Sequence, residues 1–260
     1  MAYSVKVHYP SKHSTNKPIF FMCLILFAIN PNPEYKLILA ANRDEFFERP
    51  TKKAEFWDQK GKMLAGKDLQ KGGTWLGLTK DGRFSAITNF RPPQTGIYYK
   101  RSRGELPVNF LKKDYSPRDY LRAIANKKQE YNGFNLLVGD LKEYYYFSNR
   151  IKANQKLENG FFGLSNEALN CGWPKVKDGR RKLVSLAEKG FSNSDLYRLL
   201  EDTGSSEELS ASFIYGENYG TRAMTILTID SFNKVLFEEK TFGPLGKFEG
   251  LASFDFTLKK

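Results

Sequence analysis

The sequence predicts an α+β fold in which antiparallel β-sheets are layered with helices. Three observations predict it: strand patterns come in adjacent pairs with short connections, helix patterns lie between groups of strands, and 15% of the 260 residues are aromatic. Paired strands with short connections favour antiparallel sheets. Abundant aromatic residues are typical of a packed, strand-rich interior. A chain of this length can bury most of its apolar surface without disulfide bonds.

The first strand pair is predicted from the runs CLILFAIN and KLILAANR, residues 23–30 and 36–43. Pro31, Asn32 and Pro33 lie between the runs and favour a turn. Because the runs are almost continuously apolar rather than alternating, both strands are expected to be buried on both faces.

An Asp-Gly step predicts the second hairpin. Trp75–Thr79 and Phe84–Phe90 have strand character, and Lys80-Asp81-Gly82 lies between them. Asp-Gly is the strongest short-range hairpin signal. A helix is then predicted to begin with Ser116 as its N-cap and to run to about Glu130.

The second half of the chain alternates strand pairs with helices. Apolar residues spaced as in a helix predict one over Lys175–Lys189, and Ser194 is the expected N-cap of another over Asp195–Glu201. The remaining strands are predicted at FNLLVGD, EYYYFSN, FFGLSN, RAMTILTID, KVLFEEKTF and LASFDFTL. This order of elements gives the layered α+β interpretation.

Residues 1–21 are expected to be a disordered leader or a misassigned start, with a single domain over residues 22–260. The leader carries three lysines and no acidic residue, and an apolar run follows it, which resembles a signal peptide. No A-x-A-like cleavage site follows, and the run is shorter than the ~20 residues that span a bilayer. Met22 would then be the start; secretion remains the alternative.

The positions of two histidines and two cysteines limit the kinds of catalytic, metal-binding and disulfide sites that the chain can form. His8 and His13 both lie in the leader, so the rest of the chain has no histidine for a Ser-His-Asp or Cys-His pair, a zinc site or a haem ligand. No metal and no cofactor is therefore expected. Two cysteines are too few for a disulfide framework, which favours a cytoplasmic location.

The formal net charge of +12 predicts an anionic partner. The basic pairs lack the interleaved aromatic residues of a single-strand binder, so nucleic acid is not the expected partner. An acidic membrane surface and a small anionic metabolite remain open.

Cys23 is the candidate nucleophile. If the first two strands pair, the end of the second lies beside the start of the first, which brings Arg43 and Asp44 near Cys23. Such neighbours can hold a thiol as thiolate and orient its base. Without histidine, the simplest base is the α-amine of Cys23 itself, freed by removal of what precedes it, since its unperturbed pKa is about 7.7–8.0.

The segments MCLILFAIN, AANRDEFFERPT, AGKDLQKGGTWLGLTKDGRFSAITNFR, RSRGELP and GLSNEALNCGWPKVKDGR follow one another along the chain. In this order they resemble the NRDE family, named for Asn-Arg-Asp-Glu and also called the transport-and-Golgi-organisation protein 2 family. The resemblance runs from Met22 to the C-terminal strands. It implies a four-layer αββα sandwich, two antiparallel sheets flanked by helices, as in N-terminal-nucleophile hydrolases.

Within that superfamily, the choloylglycine hydrolase and penicillin V acylase group has a residue pattern similar to Cys23, Arg43 and Asp44. The resemblance implies that the side chain of Asn89 stabilises an oxyanion. It also implies that Asn166 orients the α-amine together with Asp44. The leader departs from the pattern, because it blocks the α-amine until it is removed.

A later arginine of that group is similar to Arg222 in YGTRAMT. The resemblance implies that Arg222, together with Arg43, holds the thiolate or a substrate carboxylate. Four neighbours within the same motifs are the candidate substrate-binding residues: Asn42, Glu45, Trp75 and Arg91.

Two main functions therefore stay open, besides a membrane-peripheral protein that uses its basic face. One is a cysteine amidohydrolase acting on a small acylated compound, an amide or a thioester. The other, implied by the family resemblance, is a non-enzymatic carrier of haem or of an acyl lipid or acyl-CoA. In both, the partner is a small acyl or haem-like anionic ligand.

Overall fold

The computed structural model describes residues 23–57, 62–91 and 96–259. The expectations for the leader and for Met22 lie outside the described residues. Two antiparallel sheets stack face to face, and two α-helices cover the outer face of each. The α+β sandwich implied by the family resemblance is therefore confirmed.

Within the part of the chain that the structure describes, the first sheet has six strands in the order β10-β1-β2-β11-β12-β13, all antiparallel to their neighbours. The first predicted hairpin forms its centre, and the C-terminal strands complete it. The bounds are β1 Leu24–Asn32, β2 Tyr35–Phe46, β10 Gly160–Leu164, β11 Tyr219–Asp230, β12 Lys234–Phe242 and β13 Phe248–Thr257.

The second sheet, over the same described residues, has seven strands that follow the chain order from β3 to β9. It contains the predicted Asp-Gly hairpin as β5 and β6. The bounds are β3 Thr51–Phe56, β4 Met63–Asp68, β5 Leu76–Thr79, β6 Phe84–Asn89, β7 Phe134–Gly139, β8 Tyr144–Ser148 and β9 Ala153–Leu157.

In the described residues, four α-helices cover the two sheets: α1 Glu105–Lys112, α2 Pro117–Ala125, α3 Pro174–Lys189 and α4 Asn193–Leu200. Helices α3 and α4 pack on the six-stranded sheet, and α1 and α2 pack on the seven-stranded sheet. Within the described residues, no helix has the length and apolar character needed to cross a membrane.

Alternation along β1 explains why this strand is buried on both faces. Ile25 and Phe27 point into the core between the two sheets, whereas Leu24 and Leu26 point into the layer beneath α3 and α4. Successive strand residues face opposite sides, so an uninterrupted apolar run serves two cores at once. Burying one such side chain contributes about 1.5–3 kcal/mol.

Two predicted helix boundaries were wrong. Helix α2 ends at Ala125 rather than near Glu130, because Lys127 leaves the helical region with φ −122° and ψ 6°. Ser192, not Ser194, caps α4. Its N–H donates to the carboxylate of Asp195 at 2.8 Å, a capping box that begins the helix at Asn193.

Two glycines bring the loop before β5 into direct contact with the start of α1. Gly73 lies so close to Gly104 that a Cβ on Gly73 would stand 2.5 Å from the carbonyl carbon of Gly104. The N–H of Thr74 donates to the Gly104 carbonyl at 3.0 Å. The motifs GGTWLG and RSRGELP therefore meet through their backbones.

Replacing Gly73 by alanine is expected to destabilise the protein by about 1–3 kcal/mol, because the new methyl group meets backbone atoms that cannot move aside. Urea unfolding measures the change. Gly172→Ala is the matched control, since the nearest atom to its Cβ is 3.8 Å away. Equal stabilities of the two variants would contradict the close approach.

Candidate active site

Cys23 stands at the start of β1, directly beside the polar end of β2. Leu24 pairs with Asn42, so the register places Cys23 opposite Arg43. The Cys23 thiol lies 3.8 Å from the Asp44 carbonyl, and the Asp44 N–H donates to Sγ at 3.4 Å. Ser165 Oγ donates to the Cys23 carbonyl at 2.6 Å. The hairpin thus brings together the three residues that the sequence analysis placed near one another.

A cavity of about 120 Å³ opens at the thiol between the two sheets. Strands of both sheets and the loop before α1 form its walls, so residues far apart in sequence share one surface. The lining side chains that matter for charge and hydrogen bonding are Cys23, Arg43, Asp44, Glu45, Arg49, Asp68, Trp75, Asn89 and Arg103.

The Cys23 thiol is protonated at neutral pH in this environment. Burial raises its pKa to about 11, and the negative charge of Asp44 adds to the increase. The Asp44 N–H, Arg43 and Lys175 act in the opposite direction but do not offset burial. A nucleophilic role therefore requires a base or an additional positive charge next to Sγ.

Asp44 is a buried carboxylic acid with one satisfied oxygen. Thr221 Oγ1 donates to Oδ1 at 2.6 Å, whereas Oδ2 is buried and has no hydrogen-bond partner within the part of the chain that the structure describes. Burial raises the pKa of Asp44 to about 6, against the lowering effects of Lys175, the Thr221 hydroxyl and Arg43. An unpaired buried acceptor of this kind costs about 1–3 kcal/mol.

Asn166 presents a second such acceptor near Cys23. Its Nδ2 donates to the Asn89 carbonyl at 2.7 Å, which joins the end of β10 to the end of β6. Its Oδ1 is buried and, over residues 23–57, 62–91 and 96–259, finds no donor. Because Asn166 follows Ser165, which bonds to the Cys23 carbonyl, both unsatisfied acceptors belong to residues that flank the start of β1.

Three further residues predicted from the sequence line the walls of this cavity: Glu45, Trp75 and Asn89. The Arg43 guanidinium lies 4.3 Å above the Trp75 ring, and its Nη2 is 3.6 Å from Glu45 Oε2. Asn89 is exposed at the cavity. An arginine held by a ring and a carboxylate has little freedom, which fixes the charge beside Cys23.

Three predicted site residues, Arg222, Asn42 and Arg91, do not line the 120 Å³ cavity. Arg222 does not line this cavity; its Nη1 donates to the carbonyls of Phe46 and Arg49. Asn42 is directed towards the helix layer, where its Nδ2 donates to the carbonyls of Leu200 and Ser212 at 2.9 and 2.7 Å. Arg91 is half-buried, and its N–H donates to the Asn166 carbonyl at 2.8 Å. Their functional roles stay predictions.

Sequence reasoning missed Arg103 and the Arg49–Asp68 pair. Arg49 Nη2 lies 2.6 Å from Asp68 Oδ2, and Arg103 Nη1 donates to the Gly133 carbonyl at 3.0 Å. Burial lowers the pKa of Arg103 to about 10. The RSRGELP motif was the available signal for Arg103, but only the contact between Gly73 and Gly104 shows that the motif reaches the cavity.

Sequence reasoning also did not place Lys175 near Cys23 and Asp44. It is 4% exposed at the start of α3, and its charge lowers the pKa of both Asp44 and Cys23. Burial lowers its own pKa. Within the described residues, no group of three His, Cys, Asp or Glu side chains is placed to hold a metal ion.

The two antiparallel sheets form a sandwich flanked by helices, with Cys23 directly before its first strand. A solved structure that it resembles is the Caenorhabditis elegans N-acylethanolamine-hydrolyzing acid amidase (NAAA) ortholog. The TM-score is 0.50 at 12% sequence identity, over 79% of this chain and 92% of that one. This likeness concerns the fold alone.

The chain belongs to the Transport and Golgi organisation 2 family, whose sequence profile matches residues 22–244. It is 33% identical to the human Transport and Golgi organization protein 2 homolog over 92% of this chain and all of that protein. The Transport and Golgi organization protein 2 of Drosophila melanogaster is 26% identical over 85% of this chain and 92% of its own length. The family resemblance seen in the sequence is therefore confirmed.

Proposed function

We propose that this protein is a cysteine N-terminal-nucleophile amidohydrolase that acts on a small acylated compound, an amide or a thioester. The observation that carries the proposal is the pair of buried acceptors without partners, Asp44 Oδ2 and Asn166 Oδ1, beside the start of β1. An α-ammonium group on Cys23 has three N–H donors and one positive charge. It would match both acceptors and would compensate the buried carboxylate.

The same α-amine would supply the positive charge and the base that the thiol lacks. A positive charge on the same residue as Sγ favours the thiolate, which would oppose the effect of burial on the Cys23 pKa. The α-amine has an unperturbed pKa of about 7.7–8.0 and can accept the thiol proton near neutrality. No histidine follows the leader, so the α-amine of Cys23 would be the base in place of a histidine.

In the proposed reaction, the amine takes the thiol proton and Sγ attacks the acyl carbonyl carbon. The side-chain N–H of Asn89, at the cavity, would donate to the oxyanion. The carbon–nitrogen or carbon–sulfur bond then breaks, and the leaving group takes the proton from the ammonium. Water attacks the resulting thioester on Cys23, which releases the acid and restores the thiol.

Cavity size favours a small acyl group over an enclosed haem. The volume at Cys23 is about 120 Å³, whereas sites for drug-sized ligands have about 300–1,000 Å³. The structural neighbour is an N-acylethanolamine-hydrolyzing acid amidase ortholog, and amide hydrolysis is the reaction class that we propose for this chain. Cys23 and Cys171 are both free thiols, which suits the reducing cytoplasm that we propose as its location.

The test compares two chains that differ only in whether the α-amine is free. One begins at Cys23, and the other keeps a single glycine before it. With acetyl, butyryl and octanoyl p-nitroanilides, we expect the second chain to turn over substrate about 10²–10⁴-fold more slowly than the first. Mass spectrometry should detect an acyl adduct on Cys23 and should find Cys23 as the first residue of the native protein.

Two outcomes would overturn the proposal. Equal rates in the two chains would mean that the α-amine is not the base. The native protein retaining its leader while it hydrolyses acyl substrates would exclude the N-terminal mechanism. A haem titration addresses the carrier hypothesis separately: a Soret shift at micromolar haem that is lost in Cys23→Ala would favour that hypothesis.

A further inference from the structure

A buried amide side chain interrupts the apolar strand β7 behind the candidate active site. Asn135 is 0% exposed and lies in the run FNLLVG, in which no other side chain is polar. It does not line the cavity at Cys23. Burying an amide in a strand is costly unless its polar atoms are paired. The groups that pair with Asn135 therefore indicate what this residue does.

Both polar atoms of the Asn135 side chain are paired. Nδ2 donates to the Glu167 carbonyl at 2.8 Å and to Thr88 Oγ1 at 3.1 Å, and the Ser165 carbonyl lies 3.4 Å from the same nitrogen. The Tyr146 hydroxyl donates to Oδ1 at 2.8 Å. Because carbonyl oxygens only accept hydrogen bonds, these partners fix which end of the amide is the nitrogen.

Asn135 holds the backbone on both sides of Asn166. The two carbonyls near its Nδ2 belong to the residues directly before and after Asn166. Asn135 lies in the seven-stranded sheet, whereas Asn166 follows β10 of the six-stranded sheet, so these contacts join the two sheets. The Tyr146 hydroxyl also accepts from the Leu169 N–H at 3.3 Å. The segment after β10 is therefore positioned from the opposite sheet.

Thr88 and Ser165 extend these contacts to the backbone of Cys23. Thr88 Oγ1 donates to the Ser165 carbonyl at 2.6 Å, and Ser165 Oγ donates to the Cys23 carbonyl at 2.6 Å. We call Asn135, Thr88, Ser165 and Tyr146 the buried network; none of the four is more than 2% exposed. Such a network resists rearrangement, because breaking one bond leaves a buried group unpaired.

Each hydroxyl residue that bonds within the buried network directly precedes an asparagine of the candidate site. Asn89 follows Thr88, and Asn166 follows Ser165. Asn166 Nδ2 donates to the Asn89 carbonyl at 2.7 Å, which ties the two steps together. A hydrogen bond that fixes the chain at one residue restricts where the next side chain can lie. The network therefore governs the placement of both asparagines as well as that of Cys23.

We propose that Asn135 is a positioning residue, which acts through Thr88 and Ser165 to hold Cys23 and Asn166 in place. Its effect on catalysis rests on the proposed function, because the groups that it places are the nucleophile and the asparagines of that mechanism. A misplacement of about 1 Å can cost 10²-fold in rate. Asn135 has no contact with the substrate in this role, since it lies outside the cavity at the thiol.

Tyr146→Phe is the smallest change that tests the proposal, because it removes one hydroxyl and leaves Asn135 Oδ1 without its donor. In the chain that begins at Cys23, we expect kcat for butyryl p-nitroanilide to fall at least about tenfold, with KM changed less than about twofold. Asn135→Leu should lower kcat about 10²-fold. If that variant does not fold, Tyr146→Phe decides the question.

Tyr120→Phe is the matched control for Tyr146→Phe. The Tyr120 hydroxyl donates to the Leu106 carbonyl at 2.7 Å, and the residue belongs to the core beneath α1 and α2 rather than to the buried network. Both variants remove one buried phenol hydroxyl, so urea unfolding should show comparable losses of stability. Only Tyr146→Phe should lower kcat.

A second readout does not depend on hydrolysis. The side-chain amide signals of Asn89 and Asn166, read in two-dimensional ¹H–¹⁵N spectra of the full chain, report where these groups lie. We expect both signals to shift in Tyr146→Phe and in Thr88→Val, which loses the hydroxyl. Thr88→Ser restores the hydroxyl and should return the signals, and Tyr120→Phe should leave them unchanged.

The outcomes separate the positioning role from the proposed function. Unchanged asparagine signals in both Tyr146→Phe and Thr88→Val, or an equal loss of kcat in Tyr146→Phe and Tyr120→Phe, would overturn the positioning role. A chain that hydrolyses no acyl substrate would overturn the proposed function. Asparagine signals that still shifted in Tyr146→Phe but not in Tyr120→Phe would then support the positioning role alone.

Discussion

Replacing Cys23 by alanine is expected to lower the hydrolysis of a short acyl amide at least about 10³-fold, in a chain whose α-amine is free. The variant removes the thiol at the cavity and leaves the sandwich intact, because Cys23 precedes β1 and, among the described residues, belongs to none of the three apolar cores. Rates with butyryl p-nitroanilide and trapping of the acyl adduct measure the loss.

Cys171→Ala is the control for Cys23→Ala. Cys171 is 8% exposed and belongs to the core beneath α3 and α4, away from the cavity, so its loss should leave turnover nearly unchanged. Cys23→Ser keeps the size of the side chain and tests the thiol itself. Hydrolysis that survives both substitutions at position 23 would exclude a nucleophilic role for this residue.

Local signals in the sequence were sufficient for the hairpins and for the position of Cys23. In a β-hairpin, the turn fixes which residues of the two strands face each other. The predicted hairpin was therefore enough to place Cys23 next to Arg43 and Asp44. The pairing of Leu24 with Asn42 has this geometry. The roles of these residues are a separate matter that the fold does not decide.

Strands β3, β4 and β9 were not predicted, for reasons visible in their composition. β3 and β9 are edge strands of the seven-stranded sheet, and each buries a single residue, so neither has a clear apolar alternation. β4 contains Gly66, which is weak in strands but here lies against the Trp75 ring. Helix α1 was missed because Pro107 lies in its first turn, where proline is tolerated.

The position of the Arg222 side chain could not be predicted from a motif or from hairpin geometry. The register between β11 and β2 shifts between Thr221 and Ala223, which leaves Arg222 without a paired residue on β2. Such a bulge re-aims a side chain. Arg222 consequently contacts the connection between β2 and β3 instead of the thiol, and Thr221 takes the place beside Asp44.

Asp44→Asn is expected to have opposite consequences in the two forms of the chain. In the chain with a blocked amine, the folded state holds the Asp44 proton more tightly than the unfolded state, since its pKa rises from 3.8 to about 6. The free energy of unfolding therefore falls as pH rises through this interval. This rise in pKa corresponds to a loss of about 3 kcal/mol in the free energy of unfolding above pH 6. Asp44→Asn should restore that free energy in the same pH range.

In the chain that begins at Cys23, an ammonium beside Asp44 Oδ2 would lower the carboxyl pKa and remove that pH dependence. Asp44→Asn then brings no gain in stability above pH 6. It removes the counter-charge that orients the amine, so kcat/KM should fall about 10²-fold or more. The substitution would stabilise one form of the chain and inactivate the other.

Urea unfolding at pH 4.5 and 7.5, for both chains with and without Asp44→Asn, separates these expectations. Asp255→Asn alters an exposed aspartate of β13 and should change stability by no more than about 0.5 kcal/mol in either chain. If Asp44→Asn changed the stability of both chains equally at pH 7.5, the carboxylate would not be paired with the α-amine. The buried acceptors beside Cys23 would then need a different donor, and the N-terminal mechanism would lose its main structural support.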